Sequence, residues 1–239
     1  YDVHVADMDG DGDLDIVSAS INDDTIAWYE NDGAATWTPA FTKANIDSNF
    51  IGTPFDVHHG DFDNDGDIDI VLLEYKMHRS RNEYGRPGPA SENYTVHIYE
   101  NDGAVNPSFT KSTIQYQFLQ GRGITFADIN RDGNLDIVVG GEGGYPLMGV
   151  IWLCNECGSS TWEPYQIGRG GTGGGGAHDM RLADMDGDGD LDVIVVGDSV
   201  GRGFSWYENT GSYGVNTKWP REQIAVSYTH LTLPTKVYV

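Results

Sequence analysis

Short apolar segments bounded by turn residues recur along the chain, and no stretch keeps the i, i+3, i+4, i+7 apolar spacing of an amphipathic helix. One kind of segment occurs four times and ends in asparagine each time: Ile26–Asn31, Val96–Asn101, Val150–Asn155 and Phe204–Asn209. Segments of this length, joined by Gly, Asn and Asp turns, are typical of short β-strands. The pattern therefore predicts an all-β protein that is nearly free of helix.

An acidic run precedes each of these segments and places an acidic or amide residue at every second position. The four runs begin at Asp7, Asp61, Asp128 and Asp184, and a strand-like segment follows each of them. Tandem units of this length with about four short strands each are typical of β-propeller blades. A β-solenoid is the competing architecture, but its coils are usually shorter. The sequence predicts a β-propeller fragment of about four four-stranded blades, with the acidic run linking the first strand of a blade to the second.

The predicted blades cover about residues 1–50, 51–118, 119–168 and 169–225, and the end of the chain departs from the repeat. Residues 226–239 resemble the translation of a transposase adapter used in sequencing libraries, so we interpret them as an artefact. A native final strand is the alternative interpretation. On the first interpretation, the fragment belongs to a larger ring, and we expect it to associate through uncovered blade faces when it is expressed alone.

The acidic runs are predicted metal-binding loops, because Ca²⁺ requires oxygen ligands that a tight loop presents at alternate positions. Positions 1, 3, 5 and 9 offer side-chain oxygens, position 7 would offer its backbone carbonyl, and the glycine at position 6 permits a sharp turn. The predicted ligands are Asp7, Asp9, Asp11, Asp13 and Asp15; Asp61, Asp63, Asp65, Asp67 and Asp69; Asp128, Asn130, Asp132, Asn134 and Asp136; and Asp184, Asp186, Asp188, Asp190 and Asp192. We expect about four Ca²⁺ ions, with the weakest affinity in the less charged third loop. A solvated acidic turn without metal is the alternative.

Together these motifs resemble a known repeat family. Asp-x-Asp-x-Asp-Gly-x-x-Asp, followed by a strand and a Trp-Tyr-Glu-Asn-like segment, is similar to the FG-GAP/VCBS repeats and to the blades of the integrin α-subunit propeller, over about residues 1–225. The resemblance implies Ca²⁺ in the acidic loops and an adhesion or ligand-binding role in a secreted, extracellular or cell-surface protein. The third copy departs from the family pattern at Asn130, Arg131 and Asn134.

The composition narrows the classes of partner. The net charge of −23 argues against nucleic-acid binding and against docking on anionic membranes. No apolar run reaches the length of a membrane span. The two cysteines, Cys154 and Cys157, stand in one turn, and a disulfide is our first choice for them in a secreted protein. A zinc site would need two more ligands, and none stands at suitable spacing.

One locally basic insertion, residues 76–93, is predicted to be a loop between the second and third strands of blade 2. Arg79, Arg81, Tyr84 and Arg86 in it could bind an acidic sugar or a protein carboxylate. A flexible loop without a ligand is the alternative.

No catalytic set stands out, because the conspicuous polar residues recur from blade to blade. We therefore expect a module that binds a protein or glycan ligand, or that spaces other domains of the same protein, more than an enzyme. The alternative is a propeller-based polysaccharide lyase or other carbohydrate-active enzyme. An enzyme would need Arg, Lys, Tyr or His side chains converging at the central funnel of the propeller.

Overall fold

The described residues form only strands, turns and irregular segments, arranged as four antiparallel sheets. The computed structural model describes residues 2–33, 40–50, 52–81, 87–119, 121–141, 149–157, 162–168, 177–197, 204–212 and 219–224. In that part of the chain, each sheet has four strands that follow one another in chain order. The all-β class and the four-stranded blades predicted from the sequence are confirmed, and the chain is a β-propeller fragment.

The first two sheets are blades 1 and 2. Blade 1 comprises β1 (Asp2–Ala6), β2 (Asp15–Ser20), β3 (Thr25–Asn31) and β4 (Phe41–Asp47). Blade 2 comprises β5 (Thr53–Gly60), β6 (Asp69–Arg81), β7 (Pro87–Asn101) and β8 (Phe109–Leu119).

The other two sheets are blades 3 and 4. Blade 3 comprises β9 (Gly121–Ala127), β10 (Asp136–Gly141), β11 (Val150–Asn155) and β12 (Trp162–Gly168). Blade 4 comprises β13 (Ala177–Ala183), β14 (Asp192–Gly197), β15 (Phe204–Tyr207) and β16 (Arg221–Ile224). In all four blades the acidic run joins the first strand to the second, as predicted. Residues 226–239 lie outside the described residues, and their interpretation as an artefact stays a prediction.

The prediction of a loop over residues 76–93 was wrong for most of the segment. Strands β6 and β7 continue pairing through it, from Lys76 opposite Asn93 to Arg81 opposite Pro87. The pairing gives the backbone groups of a polar segment their partners, so the hairpin extends although few of its residues are apolar. Polar composition and Pro-Gly-Pro suggested a loop because such residues mark turns more often than strands. Residues 82–86 lie outside the described residues.

The core consists of three apolar clusters, and each one lies between two consecutive blades. In the central blade 2, successive residues of β6 face opposite neighbours: Ile70 and Leu72 pack towards blade 1, and Val71 and Leu73 pack towards blade 3. All four side chains are fully buried. A strand buried on both faces reads as a continuous apolar run, because its alternate side chains enter two different cores.

Two loop residues at the ends of the array are more exposed than their counterparts in the inner blades. The second residue of the acidic loop is buried in the first three blades, as Met8, Phe62 and Ile129, but Met185 in blade 4 is 45% exposed. Leu14, at position 8 of the first loop, is 60% exposed. Blades 2, 3 and 4 therefore each cover the loop of the blade before them.

Candidate metal centres and the first-strand cleft

All four acidic loops share one backbone conformation. The residue at position 6 has a left-handed φ of 94° to 97° in every copy, and the N–H of this glycine donates a hydrogen bond of 3.0–3.1 Å to the carboxylate at position 1. A side chain at position 6 would be strained, which explains why glycine is invariant across the copies. The loop thus curls around its own first aspartate.

Backbone N–H groups also orient the next two side chains of each loop. In the first loop, Asp9 accepts from the N–H of Asp11 at 3.2 Å, and Asp11 accepts from the N–H of Asp13 at 2.8 Å. The same pair of contacts occurs in the second, third and fourth loops. These local bonds hold alternate side chains at fixed angles, so the sequence pattern becomes a fixed set of oxygens.

Three of the loops bring carboxylates from positions 1, 3 and 9 together. The ligand oxygens in each group lie within 4.8 Å of one another, and the groups are Asp7, Asp9 and Asp15; Asp61, Asp63 and Asp69; and Asp184, Asp186 and Asp192. Oxygens at this spacing suit a cation between them, because Ca²⁺ is bound by oxygens 2.3–2.6 Å away. The position-5 residues Asp11, Asp65 and Asp188 are not in these groups.

Electrostatics in these groups favour a cation. Burial raises the pKa of Asp9 and of Asp63, and the neighbouring carboxylates raise it further. Burial also raises the pKa of Asp69 to about 6. In addition, Oδ1 of Asp7 and Oδ1 of Asp61 are buried acceptors without a hydrogen-bond partner in the described residues. Crowded carboxylates with an orphaned buried oxygen fit a divalent cation, which would supply the missing partner and charge.

The side chains at position 7 point away from these groups. A Cβ on Gly33 or on Gly103 would overlap the carboxylate of Asp13 or of Asp67. In the fourth loop, Asp190 forms an ion pair with Arg131 of the preceding loop, with 3.1 Å between Oδ1 of Asp190 and a guanidinium nitrogen of Arg131. The predicted contribution of position 7 through its backbone carbonyl stays a prediction, as do the position-5 ligands.

The third loop differs from the other three. Its Asn130 amide nitrogen lies 2.7 Å from Oδ2 of Asp132, and also 3.3 Å and 3.1 Å from the sulfurs of Cys154 and Cys157. The two cysteines form a disulfide, with their Cα atoms 5.6 Å apart. An amide donor thus stands where the other loops have an acidic side chain. The third loop, Asp128 to Asp136, does not gather three carboxylates among the described residues.

The aspartate at position 9 has a structural role that the sequence reading missed. Each of Asp15, Asp69, Asp136 and Asp192 is fully buried. In every blade it accepts one N–H from the second loop residue at 2.8–3.0 Å, and one from the asparagine that ends the third-strand segment at 2.8 Å. This residue therefore connects the acidic loop to the end of the third-strand segment of the same blade.

The recurring asparagine connects neighbouring blades. The amide of Asn101 donates to the carbonyl of Met8 in blade 1 at 2.8 Å, Asn155 donates to Phe62 in blade 2 at 2.8 Å, and Asn209 donates to Ile129 in blade 3 at 3.3 Å. The asparagine that ends all four segments was the available signal, because a polar residue repeated at a strand end needs a buried partner.

Comparison with known protein families supports the repeat assignment made from the sequence. The FG-GAP-like repeat family matches residues 7–72 and 89–139. The chain is an FG-GAP repeat protein. The matched FG-GAP-like repeats include the first three acidic loops, and the fourth loop has the same strands and turn geometry in the structure. No curated protein matches the chain.

A second feature is a cleft of about 280 Å³, lined by the first strand of every blade. The lining residues are Asp2, His4, Asp56, His58, Gly123, Ile124, Asp179 and Arg181. Three of the strands carry an aspartate two residues before a basic side chain, and the paired atoms are 3.4 Å, 3.5 Å and 2.5 Å apart. Side chains two apart on a strand share a face, so the repeat gathers these pairs in one place.

Two of these aspartates also bridge consecutive blades. Asp2 accepts from the N–H of Val57 at 3.3 Å, and Asp56 accepts from the N–H of Ile124 at 3.2 Å. The recurrence of His58 as a structural position, inferred from the sequence, agrees with this pairing.

One histidine of blade 2 is buried in a polar cluster. His97 lies 2.6 Å from Glu74 and 2.9 Å from Thr113, in a Glu-His-Thr arrangement. His97 is 3% exposed and Glu74 is 1% exposed. A group that cannot meet a substrate is not catalytic, so this set stabilises blade 2.

Only part of the basic ligand site predicted in blade 2 lies within the residues that the structure describes. Arg79 and Arg81 lie on β6, with Arg79 opposite Ala90, and Tyr84 and Arg86 lie outside the described residues. Among the described residues, no helix has the length and apolarity that a membrane crossing requires.

Acidification is expected to weaken the interface between blades 1 and 2. Burial lowers the pKa of His4 and of His59 below the usual 6.5, and the neighbouring imidazoles lower it further. Because the unfolded chain takes up these protons more readily, the stability contributed by the neutral imidazoles is complete above pH 6.5 and is lost as the pH falls below it. Thermal unfolding at pH 7.5 and pH 5.0 should show a smaller pH dependence in His4→Gln than in the unchanged protein. Equal pH dependence in the two proteins would contradict this assignment.

Proposed function

We propose that this protein is a Ca²⁺-stabilised FG-GAP repeat propeller that serves as a ligand-binding or adhesion module of a secreted protein. The observation that carries the proposal is the carboxylate group repeated in the first, second and fourth loops. The group recurs with the same backbone turn, which favours one role shared by these blades. Binding a cation that stabilises the loop is such a role. Affinities in the extracellular range of about 10⁻⁴–10⁻³ M would keep these sites filled outside a cell.

The third loop is the exception in this proposal. It has fewer carboxylates, and Asn130 contacts the disulfide. We therefore propose that the first, second and fourth loops bind Ca²⁺. In the third loop, contact with the disulfide replaces the bound ion.

The ligand is proposed to be an acidic glycan or an acidic protein surface that binds the basic segment of residues 76–93 through Arg79, Arg81, Tyr84 and Arg86. A glycan and acidic-peptide array probed with the protein in Ca²⁺, and again in a chelator, tests this proposal. Binding to acidic ligands should require Ca²⁺ and should weaken about tenfold or more when the three arginines become alanine. Equal binding by that triple variant, Arg79→Ala with Arg81→Ala and Arg86→Ala, would exclude the hairpin.

One observation favours a second candidate function, a carbohydrate-active enzyme. The first-strand cleft brings His4, His58 and Arg181 together, which is the convergence that an enzyme would need. Incubation with acidic polysaccharides, followed by ultraviolet absorbance of unsaturated chain ends, tests lyase activity. Activity that disappears in His58→Ala would favour the enzyme, and no new absorbance would leave the binding module as the proposal.

A further inference from the structure

The third loop lies beside two sulfurs and gathers one oxygen with them, whereas each of the other loops gathers three oxygens. One carboxylate oxygen of Asp132 and the sulfurs of Cys154 and Cys157 all lie within 4.8 Å of one another. Cys154 stands at the position that is Glu30, Glu100 and Glu208 in the other blades. Blade 3 therefore also brings three candidate ligands together, but through position 5 of its loop and two sulfurs instead of positions 1, 3 and 9.

In the disulfide form this group is not suited to bind a hard cation. The amide nitrogen of Asn130 donates to Asp132 and contacts both sulfurs, so an internal donor already satisfies the acceptors. Disulfide sulfur carries no charge and is a poor ligand for Ca²⁺, which prefers oxygen.

We infer that, when its disulfide is reduced, the third loop becomes a binding site for a soft divalent cation of the Zn²⁺ or Cd²⁺ class. Two cysteines separated by two residues are a common half of a zinc site. Asp132 supplies a third ligand, and the amide of Asn130 can turn its oxygen inward, or water can enter, as the fourth. This inference is independent of the proposed Ca²⁺ function.

The chemistry needs a dithiol or phosphine reductant. With a phosphine, the S–S bond breaks, and phosphorus supplies two electrons and water supplies two protons to make Cys154 and Cys157 thiols. The oxygen of that water becomes the oxygen of the phosphine oxide. The metal then displaces one proton from each thiol, so binding releases two protons. Cys157 is half-buried and Cys154 is fully buried, so the reductant meets Cys157 first.

The test is a competition for Zn²⁺ between the protein and a chromogenic chelator, in millimolar Ca²⁺ to fill the oxygen sites, with and without a phosphine. The reduced protein is expected to take up one Zn²⁺ per chain about 100-fold more tightly than the oxidised protein. Asp132→Asn keeps both cysteines and is expected to weaken this uptake about tenfold. Asp188→Asn, the same position of the fourth loop, serves as the matched control and should leave the uptake unchanged.

Three results would overturn the inference. They are equal Zn²⁺ uptake by the oxidised and reduced proteins, unchanged uptake by the reduced Cys154→Ser, Cys157→Ser variant, and equal losses in Asp132→Asn and Asp188→Asn. Far-ultraviolet circular dichroism of each reduced variant shows whether the strands persist, so that loss of binding is separated from loss of fold.

Discussion

Replacement of Asp69 by alanine is expected to lower the free energy of unfolding by about 3–5 kcal/mol, measured by urea denaturation in a chelator. The carboxylate is fully buried and accepts the N–H groups of Phe62 and Asn101, both at 2.8 Å. Its removal leaves two donors without an acceptor, and each such group costs about 1–3 kcal/mol. The chelator removes any contribution of bound metal from the measured loss.

Asp65→Ala is the matched control for this prediction, because Asp65 belongs to the same loop but is exposed. It accepts the N–H of Asp67 at 2.9 Å. We expect a loss of about 1 kcal/mol or less for this variant. Similar losses in the two variants would mean that position 9 has no special role in tying the loop to the end of the third strand.

Calcium is expected to raise the melting temperature of the protein by about 10 °C relative to a chelator. At a Ca²⁺ concentration about tenfold above the dissociation constant, each site contributes about 1.4 kcal/mol, so three sites contribute about 4 kcal/mol. A change of that size shifts the midpoint by about 8–16 °C in a chain of this length. Differential scanning calorimetry in Ca²⁺, in Mg²⁺ at equal ionic strength and in chelator measures the difference.

Two variants divide the calcium effect among the loops. Asp61→Asn in the second loop should remove about one third of the stabilisation, because it changes a carboxylate whose buried oxygen has no partner among the described residues. Asp128→Asn, at the same position of the third loop, should change the Ca²⁺ response little. Equal responses in the two variants would contradict the distinction between these loops.

The sequence was sufficient for the fold because the repeat supplied the same information four times. The acidic run and the Trp-Tyr-Glu-Asn-like segment located the first, second and third strands, and the alternation at Ile70 to Leu73 is visible as a continuous apolar run. The extended hairpin of blade 2 could not be predicted, since its stability comes from pairing between two polar segments and not from an apolar pattern.

The candidate metal groups were predictable in outline but not in detail. Alternate spacing identified positions 1, 3, 5 and 9 equally, and only the three-dimensional turn separates Asp11, which lies outside the group, from Asp15, which lies within it. The contact between Asn130 and the disulfide depends on how the end of β11 returns to the loop, which no local motif encodes. The cleft was also missed, because its residues come from four separate strands.

Divalent cations are proposed to neutralise the carboxylate groups of the first, second and fourth loops. The most direct measurement is isothermal titration calorimetry of Ca²⁺ into chelator-stripped, oxidised protein. Three ions are expected to bind per chain, with dissociation constants of about 10⁻⁴–10⁻³ M or lower. Absence of binding heat up to several millimolar Ca²⁺, in protein that circular dichroism shows to be folded, would contradict it.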